Sequence, residues 1–277
     1  MWKSKISIVL FLFLIFLTGC SPEKGNVEKK TLEREIDPTT LKAEFPFRGK
    51  IVFQSDIDGD NEIYLLTKFL LRKLTDNNWD DEYPRWSPDG TRIAYTANPQ
   101  GHFDIFLMNE DGSGITRLTD SPVDETEPAW VPHRAEIVFT RETRKGLGKH
   151  YSLWKLNLET AEVGRLLPEL EISHGLAQFS PAAPMMLFTG KRMFGWDVFV
   201  HDFQMDESKS LTKGGGSCRA YFSPDGQIIA YVTSTADGKG DIWTMKPDRT
   251  EKTRLTERDE TYDYFPSWSP DGKYIVF

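Results

Sequence analysis

The sequence has few of the features that mark disulfide-stabilised, nucleic-acid-binding or membrane-spanning proteins. Its 277 residues include only two cysteines, which are too few for a scaffold held together by disulfides. Acidic residues outnumber basic ones by 42 to 34, and the formal net charge is -8. This balance argues against charge-driven binding to nucleic acid or to an anionic bilayer. The longest apolar run, residues 6–17, is shorter than the roughly 20 residues that span a bilayer.

The first twenty residues have the layout of an export signal. Lys3 and Lys5 precede the apolar run, which ends in Leu-Thr-Gly-Cys at 17–20 and resembles the lipobox of bacterial lipoproteins. The resemblance implies that the thiol of Cys20 is acylated and that residues 1–19 are a lipoprotein signal peptide. The alternative is an ordinary secretory signal that happens to contain a cysteine.

A charged segment follows the signal. Residues 20–48 lack apolar periodicity, which predicts a solvated tether between the lipid and a folded domain at 49–277. A lipid anchor implies a location in the bacterial envelope. This would be the periplasmic face of the outer membrane in a Gram-negative cell, and otherwise the cell surface.

From residue 49 onward one composite motif recurs. An aromatic residue precedes a turn, an apolar strand follows, the next strand opens with a carboxylate, and a short Leu-Thr strand closes the unit. The turn reads Ser-Pro-Asp-Gly at 87–90, 223–226 and 269–272, and it is altered at 131–134 and 180–183. The aromatic residues lie 43 to 49 positions apart, and we predict that they fill the space between neighbouring sheets: Trp86, Trp130, Phe179, Phe222 and Trp268.

Four short strands repeated at about this period predict an all-β propeller of four-stranded antiparallel blades. Five inner strands and six second strands favour a six-blade frame that is truncated at the C-terminus, and a five-blade ring is the alternative. The repeats lie near 50–75, 83–119, 127–167, 176–212 and 219–256, with a partial repeat at 264–277.

The motif Pro-x-Trp-Ser-Pro-Asp-Gly, followed by an Asp-Ile-aromatic strand and then Leu-Thr, resembles the TolB-like β-propeller repeat. The resemblance covers residues 49–277. TolB itself carries an α/β domain before its propeller, whereas only the tether precedes residue 49 here. The resemblance is therefore to a TolB-like propeller lipoprotein without that domain.

Catalytic signatures are weak. The sequence Gly-Gly-Gly-Ser-Cys at 214–218 lacks the closing glycine of a nucleophile elbow, and the five histidines have no metal-ligand spacing. Asp56, Asp58 and Asp60 alternate as in a calcium loop, but Gly59 stands at the fourth position, whereas an EF-hand loop requires glycine at the sixth. We therefore predict no catalytic residue, no cofactor and no metal, with calcium at these aspartates as a weak candidate.

Function is expected in the loops that differ between blades. Naming the strands of a blade A to D, the D–A and B–C connections share one face, where acidic D–A loops at 76–82, 120–127 and 257–263 accompany basic B–C loops at 141–150 and 190–196. The candidate partner-binding residues are Arg141, Arg144, Lys145, Lys149, Lys191, Arg192 and Trp196, unless Trp196 packs within its own blade.

The leading hypothesis is a non-catalytic module that binds an envelope protein or peptide, with the membrane reached only through the N-terminal lipid and with no nucleic-acid partner. A metal-dependent propeller lyase or hydrolase with histidines at the channel mouth, and a purely structural envelope protein, are the alternatives.

Overall fold

The structure is a computed structural model, and it describes residues 49–57, 59–67, 70–145, 148–236, 238–257 and 262–277. The predicted signal peptide, Cys20 and the tether lie outside the described residues. The chain divides into two compact units, one over Pro22–Pro128 and one that includes Ala129–Phe277. In the described ranges every regular element is a β-strand. Those ranges contain no helix with the length and apolar character needed to cross a membrane.

The unit Pro22–Pro128 contains two antiparallel sheets whose strands follow chain order. The first has three strands and the second has four. Their bounds are β1 Lys50–Ser55, β2 Glu62–Thr67 and β3 Leu71–Lys73, then β4 Asp81–Trp86, β5 Arg92–Ala97, β6 Asp104–Asn109 and β7 Thr116–Arg117.

Three four-stranded sheets and a two-stranded hairpin follow, and the boundary between the units falls within β8. The first sheet comprises β8 Glu125–Trp130, β9 Glu136–Lys145, β10 Gly148–Asn157 and β11 Val163–Arg165. The second comprises β12 His174–Phe179, β13 Met185–Arg192, β14 Gly195–Asp202 and β15 Glu207–Ser210. The third comprises β16 Ser217–Phe222, β17 Ile229–Thr233, β18 Asp241–Met245 and β19 Thr253–Arg254, and the hairpin comprises β20 Ser267–Trp268 and β21 Ile275–Val276.

The Ser-Pro-Asp-Gly turn recurs because its own side chains close it. Ser87 Oγ donates to Asp89 Oδ1 (2.5 Å), which also accepts the Thr91 N–H (3.1 Å). Gly90 follows at φ 70°, a left-handed conformation that glycine adopts without a Cβ clash. The turns at 223–226 and 269–272 repeat the Ser-to-Asp bond at 2.6 Å. The turn is therefore a local module that reverses the chain from strand A to strand B in two blades and between the strands of the β20–β21 hairpin.

The Leu-Thr signature also has a structural reason. Thr119 Oγ1 accepts the Ile105 N–H at 2.9 Å, and Thr212 and Thr256 accept the corresponding N–H groups of Val198 and Ile242. The threonine thus satisfies a buried backbone donor at the start of strand C. The third blade has leucines at 166 and 167, and this is one of the places where its sequence departs from the repeat.

The first strand of each complete sheet is bent at its third residue. Non-glycine residues with φ between 50° and 59° occupy this position in four blades: Tyr83, Glu127, Leu176 and Arg219. Pairing shifts by one residue between Glu82 and Arg85, and equivalent shifts occur in β12 and β16. These are β-bulges, which increase local twist and turn side chains away from the regular alternation.

Apolar side chains from adjacent sheets form the core of each unit. Ile63, Ile93 and Met108 are buried together in the first unit. Phe188 stacks on Phe199 with ring centroids 5.2 Å apart in the second, among residues such as Val138 and Leu153.

The predicted fold class, an all-β propeller of antiparallel four-stranded blades, is confirmed. The described strands form five blades, of which four have four strands and the first has three, followed by the β20–β21 hairpin. This count agrees with the five-blade alternative.

Candidate functional site

Two of the strand B–strand C hairpins in the unit Ala129–Phe277 are longer than the others. β9 and β10 have ten residues each, and β13 and β14 have eight, whereas β5, β6, β17 and β18 have five or six. These two hairpins carry all seven residues of the predicted basic site. The extra length is not needed to complete a blade.

The β9–β10 hairpin contributes four of the predicted basic residues. Arg141 stacks over the Trp154 ring with 3.8 Å between Cζ and the ring centroid, and Lys149 pairs with Glu142 at 2.8 Å. The backbones of Arg144 and Lys145 pair with Lys149 and Gly148 next to the turn. Arg141 and Lys149 are therefore held in fixed positions by their neighbours.

The β13–β14 hairpin contributes the other three predicted residues. Lys191 and Arg192 are exposed, and Trp196 is half-buried. Trp196 packs against Tyr151 of the β9–β10 hairpin (centroids 6.3 Å apart), and Lys191 Nζ lies 5.8 Å from the Trp196 ring. Trp196 thus joins the two hairpins, and its contact is with the neighbouring blade.

Ser173 ties the two hairpins together through two hydrogen bonds. The Tyr151 N–H donates to Ser173 Oγ (2.9 Å), and the Lys191 N–H donates to the Ser173 carbonyl (2.7 Å). Because Ser173 is buried, both bonds are shielded from water. The structure therefore brings the predicted basic loops of two blades side by side.

Sequence reasoning missed the tip of the β13–β14 hairpin. Met193 and Phe194 form its two-residue turn and are 89% and 81% exposed. The signal that could have revealed them is the run Lys-Arg-Met-Phe-Gly at 191–195. A hairpin turn normally holds polar residues or glycine, so two large apolar residues there are unusual.

The acidic loops bind largely to the blades that they connect. Asp76 pairs with Lys73 (2.6 Å), Asp80 accepts the Asn61 N–H (3.1 Å), and Asp120 pairs with Arg117 (2.7 Å). In the third loop residues 258–261 lie outside the description, and Asp263 is buried. Much of this charge is therefore engaged in local structure.

One of these loops, at 76–82, contributes Asp81 to a buried carboxyl pair. Glu62 at the start of β2 and Asp81 at the start of β4 are at most 1% exposed. Asn77 serves both, because its N–H donates to Glu62 Oε1 (2.7 Å) and its Nδ2 donates to Asp81 Oδ2 (2.6 Å). Burial, together with repulsion from Glu62, raises the pKa of Asp81 to about 7. Glu62 Oε2 and Asp81 Oδ1 are buried without a hydrogen-bond partner among the described residues, and a proton would allow one of these acceptors to donate.

The histidines do not form a metal centre in the described residues, which contain no group of three or more His, Cys, Asp or Glu side chains placed to hold an ion. His174 is buried with Nδ1 2.7 Å from the Ile172 carbonyl, and burial lowers its pKa. His201 is also buried and contacts Ser208. Of the weak calcium residues, Asp58 lies outside the description, and the Asp56 carbonyl accepts the Gly59 N–H in a turn.

The blade aromatics occupy the positions expected of packing residues. Phe222 is buried, Trp86 and Phe179 pack against core clusters, and Trp268 donates its indole N–H to the Tyr221 carbonyl at 3.2 Å. Trp130 is half-buried. These contacts account for the recurrence of Trp86, Phe179, Phe222 and Trp268.

The repeated blades define the protein as a β-propeller. Residues 70–215 match the family model described as the TolB β-propeller domain, which is more than half of the chain, and the chain belongs to this family. It is 26% identical over 219 residues to dipeptidyl-peptidase 5 of Porphyromonas endodontalis, covering 74% of this chain and 30% of that protein. The chain therefore spans about a third of the length of this relative.

Two solved structures share the fold. TolB from Acinetobacter baumannii superposes with a TM-score of 0.71 at 21% identity, covering 83% of this chain and 57% of that chain. An oligogalacturonate lyase in complex with manganese superposes with a TM-score of 0.57 at 14% identity, covering 80% and 65%. At these identities the likeness concerns the fold alone.

Proposed function

We propose that the protein is a lipid-anchored propeller of the cell envelope that acts as a non-catalytic module for binding a protein or peptide. The observation that carries the proposal is the pair of lengthened hairpins β9–β10 and β13–β14, locked together through Ser173 and the Tyr151–Trp196 contact. A preorganised surface loses less conformational entropy when a partner binds.

The chemistry of the β9–β10 hairpin favours an acidic partner. Arg141 is oriented by the Trp154 ring, and Arg144 and Lys145 are placed beside the turn. Complementary charge acts mainly on the rate of encounter and on the register of docking. An acidic segment of an envelope protein fits this surface.

The test is recovery of partners from envelope extract by the full-length protein. Reversing charge at Arg144→Glu with Lys145→Glu should weaken recovery, more at low salt than at high salt, because exposed charges are screened by ions. The thermal unfolding midpoint should stay nearly unchanged.

The matched control is Lys209→Glu with Lys252→Glu, two exposed lysines of the same unit that lie on or beside β15 and β19. It produces the same change in net charge away from the hairpins. If the Arg144 and Lys145 variant recovers partners as well as wild type at low salt, the binding surface is elsewhere and the proposal fails.

A further inference from the structure

The tip of the β13–β14 hairpin combines the two most exposed large apolar side chains of the described residues. Met193 is 89% exposed and Phe194 is 81% exposed, and they are adjacent. Arg192 pairs with Gly195 directly beneath them, so the two residues are the turn itself. A convex apolar point of this kind has no concave pocket of its own for a ligand to fill.

The tip is held from below. An added Cβ at Gly215 would lie only 2.0 Å from the Phe194 carbonyl oxygen and 3.1 Å from Gly195 Cα. Gly215 is buried at φ 77°, so the glycine-rich segment at 214–216 fits closely under the hairpin. The apolar pair is therefore presented in a fixed position.

Side-chain chemistry changes in layers from the tip inward. Behind the apolar pair come the exposed cations Lys191 and Arg192, for which no ion pair is found among the described residues. Trp196 lies at the level of Lys191, its cross-strand partner, and packs on Tyr151. Successive residues of a strand rise about 3.3 Å, so the layers lie a few ångströms apart.

The same order of chemistry is found across a lipid–water interface. Apolar side chains enter the acyl region, Lys and Arg extend toward the headgroup phosphates, and Trp and Tyr prefer the interface itself. We propose that this tip inserts into the surface of an anionic bilayer and orients the propeller there. The proposal gives the protein a membrane contact other than its N-terminus.

The acidic balance of the whole chain does not oppose this contact. Exposed charges act over about 8 Å at physiological ionic strength. The electrostatic attraction of the tip to an anionic surface therefore depends on the cations next to the tip and not on the net charge of the chain. On the neighbouring hairpin the carboxylate of Glu142 is paired with Lys149, which reduces its repulsion of an anionic surface. Lys191 and Arg192 would bind headgroup phosphates, and the β9–β10 hairpin would remain available to a protein partner.

The test uses the full chain carrying Cys20→Ala, so that an acyl group cannot dominate binding. Vesicles of phosphatidylcholine mixed with phosphatidylglycerol are compared with pure phosphatidylcholine vesicles by co-sedimentation. Amide hydrogen exchange over residues 190–196 is measured with and without vesicles. This second readout reports the hairpin alone, whatever residues 1–48 contribute.

Mixed vesicles should slow exchange at 190–196. Met193→Ser with Phe194→Ser should remove this protection and lower partitioning by roughly tenfold or more, given the apolar area withdrawn from lipid. Lys191→Glu with Arg192→Glu should lower binding to mixed vesicles and abolish their advantage over phosphatidylcholine. Met205→Ser is the matched control, because this 69% exposed residue lies in the β14–β15 turn at the other end of the blade. It should bind like the parent.

Unchanged exchange at 190–196 on mixed vesicles would overturn the proposal, as would equal protection of these residues in the parent and in the Met193→Ser, Phe194→Ser variant. If lipid binding is unchanged but the serine variant fails to recover a protein partner, the tip is a protein anchor and the lipid assignment is wrong. Loss of partner recovery only in the Arg144 and Lys145 variant would leave the lipid proposal intact, so the two proposals can fail separately.

Discussion

The buried carboxyl pair of Glu62 and Asp81 makes the stability of the first unit depend on pH. Burial and the neighbouring carboxylate raise the pKa of Asp81 from 3.8 to about 7. A shift of this size is on the order of 4 kcal/mol, at about 1.4 kcal/mol per pKa unit. Asp81→Asn replaces the acid by an amide of the same shape that carries no charge at any pH.

The sign follows from proton binding. Between about pH 4 and pH 7 the folded protein keeps the proton on Asp81, whereas the unfolded chain has released it. The proton therefore stabilises the folded state at low pH, and this contribution is lost as the pH rises through the folded-state pKa. Above pH 7 the folded state must hold a carboxylate at Asp81 beside Glu62, so Asp81 should contribute less stability to wild type at pH 8 than at pH 5.

The measurement is denaturant unfolding of the full chain at pH 5 and pH 8, with hydrogen exchange at β2 and β4 to localise the effect. Asp81→Asn should be more stabilising at pH 8 than at pH 5 by up to about 3 kcal/mol, because roughly two of the three pH units between the unfolded and folded pKa values of Asp81 lie above pH 5. The histidines titrate in both proteins, so their contribution cancels when the unfolding free energy of wild type is subtracted from that of the variant at each pH. Asp120→Asn is the control, because this carboxylate is 81% exposed and should give the same small difference at both pH values. A stability difference between Asp81→Asn and wild type that is the same at pH 5 and pH 8 would refute the shared-proton interpretation.

Two further changes test the N-terminus and the support of the hairpin. If Cys20 is acylated, Cys20→Ala should release the protein from washed membranes into the soluble fraction, which cell fractionation would detect. Retention of the variant on membranes after high-salt washing would contradict lipid anchoring. Gly215→Ala should destabilise the protein by about 2 kcal/mol or more, since its Cβ meets the Phe194 carbonyl at 2.0 Å at a left-handed φ. Gly164→Ala, which has open space at an ordinary φ, should leave the unfolding midpoint unchanged, and equal midpoints for both variants would argue against a tight fit.

The blades were predictable from the sequence because the information that forms them is local. The Ser-Pro-Asp-Gly turn closes through bonds between residues two positions apart, such as Ser87 with Asp89. Thr119 and Thr212 lie only 14 residues from the strand-C amides that they satisfy. Such contacts form wherever the same residues recur at the same spacing, so the sequence repeat predicts the structural repeat.

The carboxyl pair was not predictable because it depends on the pairing of different strands. Glu62 and Asp81 belong to different sheets and meet through the loop residue Asn77. From sequence alone Asp81 is one of several acids in a loop, and an exposed position is the default expectation. The same default overstated the acidic rim, since Asp80 accepts the backbone N–H of Asn61, which precedes a strand of the neighbouring sheet.

The basic hairpins were found from the sequence, but their apolar tip was not, and the reason is register. Trp196 is a candidate partner-binding residue from the sequence, unless it packs within its own blade. Cross-strand pairing places it opposite Lys191 and against Tyr151, which leaves the turn to Met193 and Phe194. Burial in the blades does not require this exposed pair or the length of the hairpin that carries it, yet Gly215 and Ser173 fix that hairpin at two points. A segment that is rigidly supported but contributes nothing to the core can differ between propellers without loss of the fold. Substitutions at the exposed tip of this hairpin should therefore alter binding without unfolding the domain.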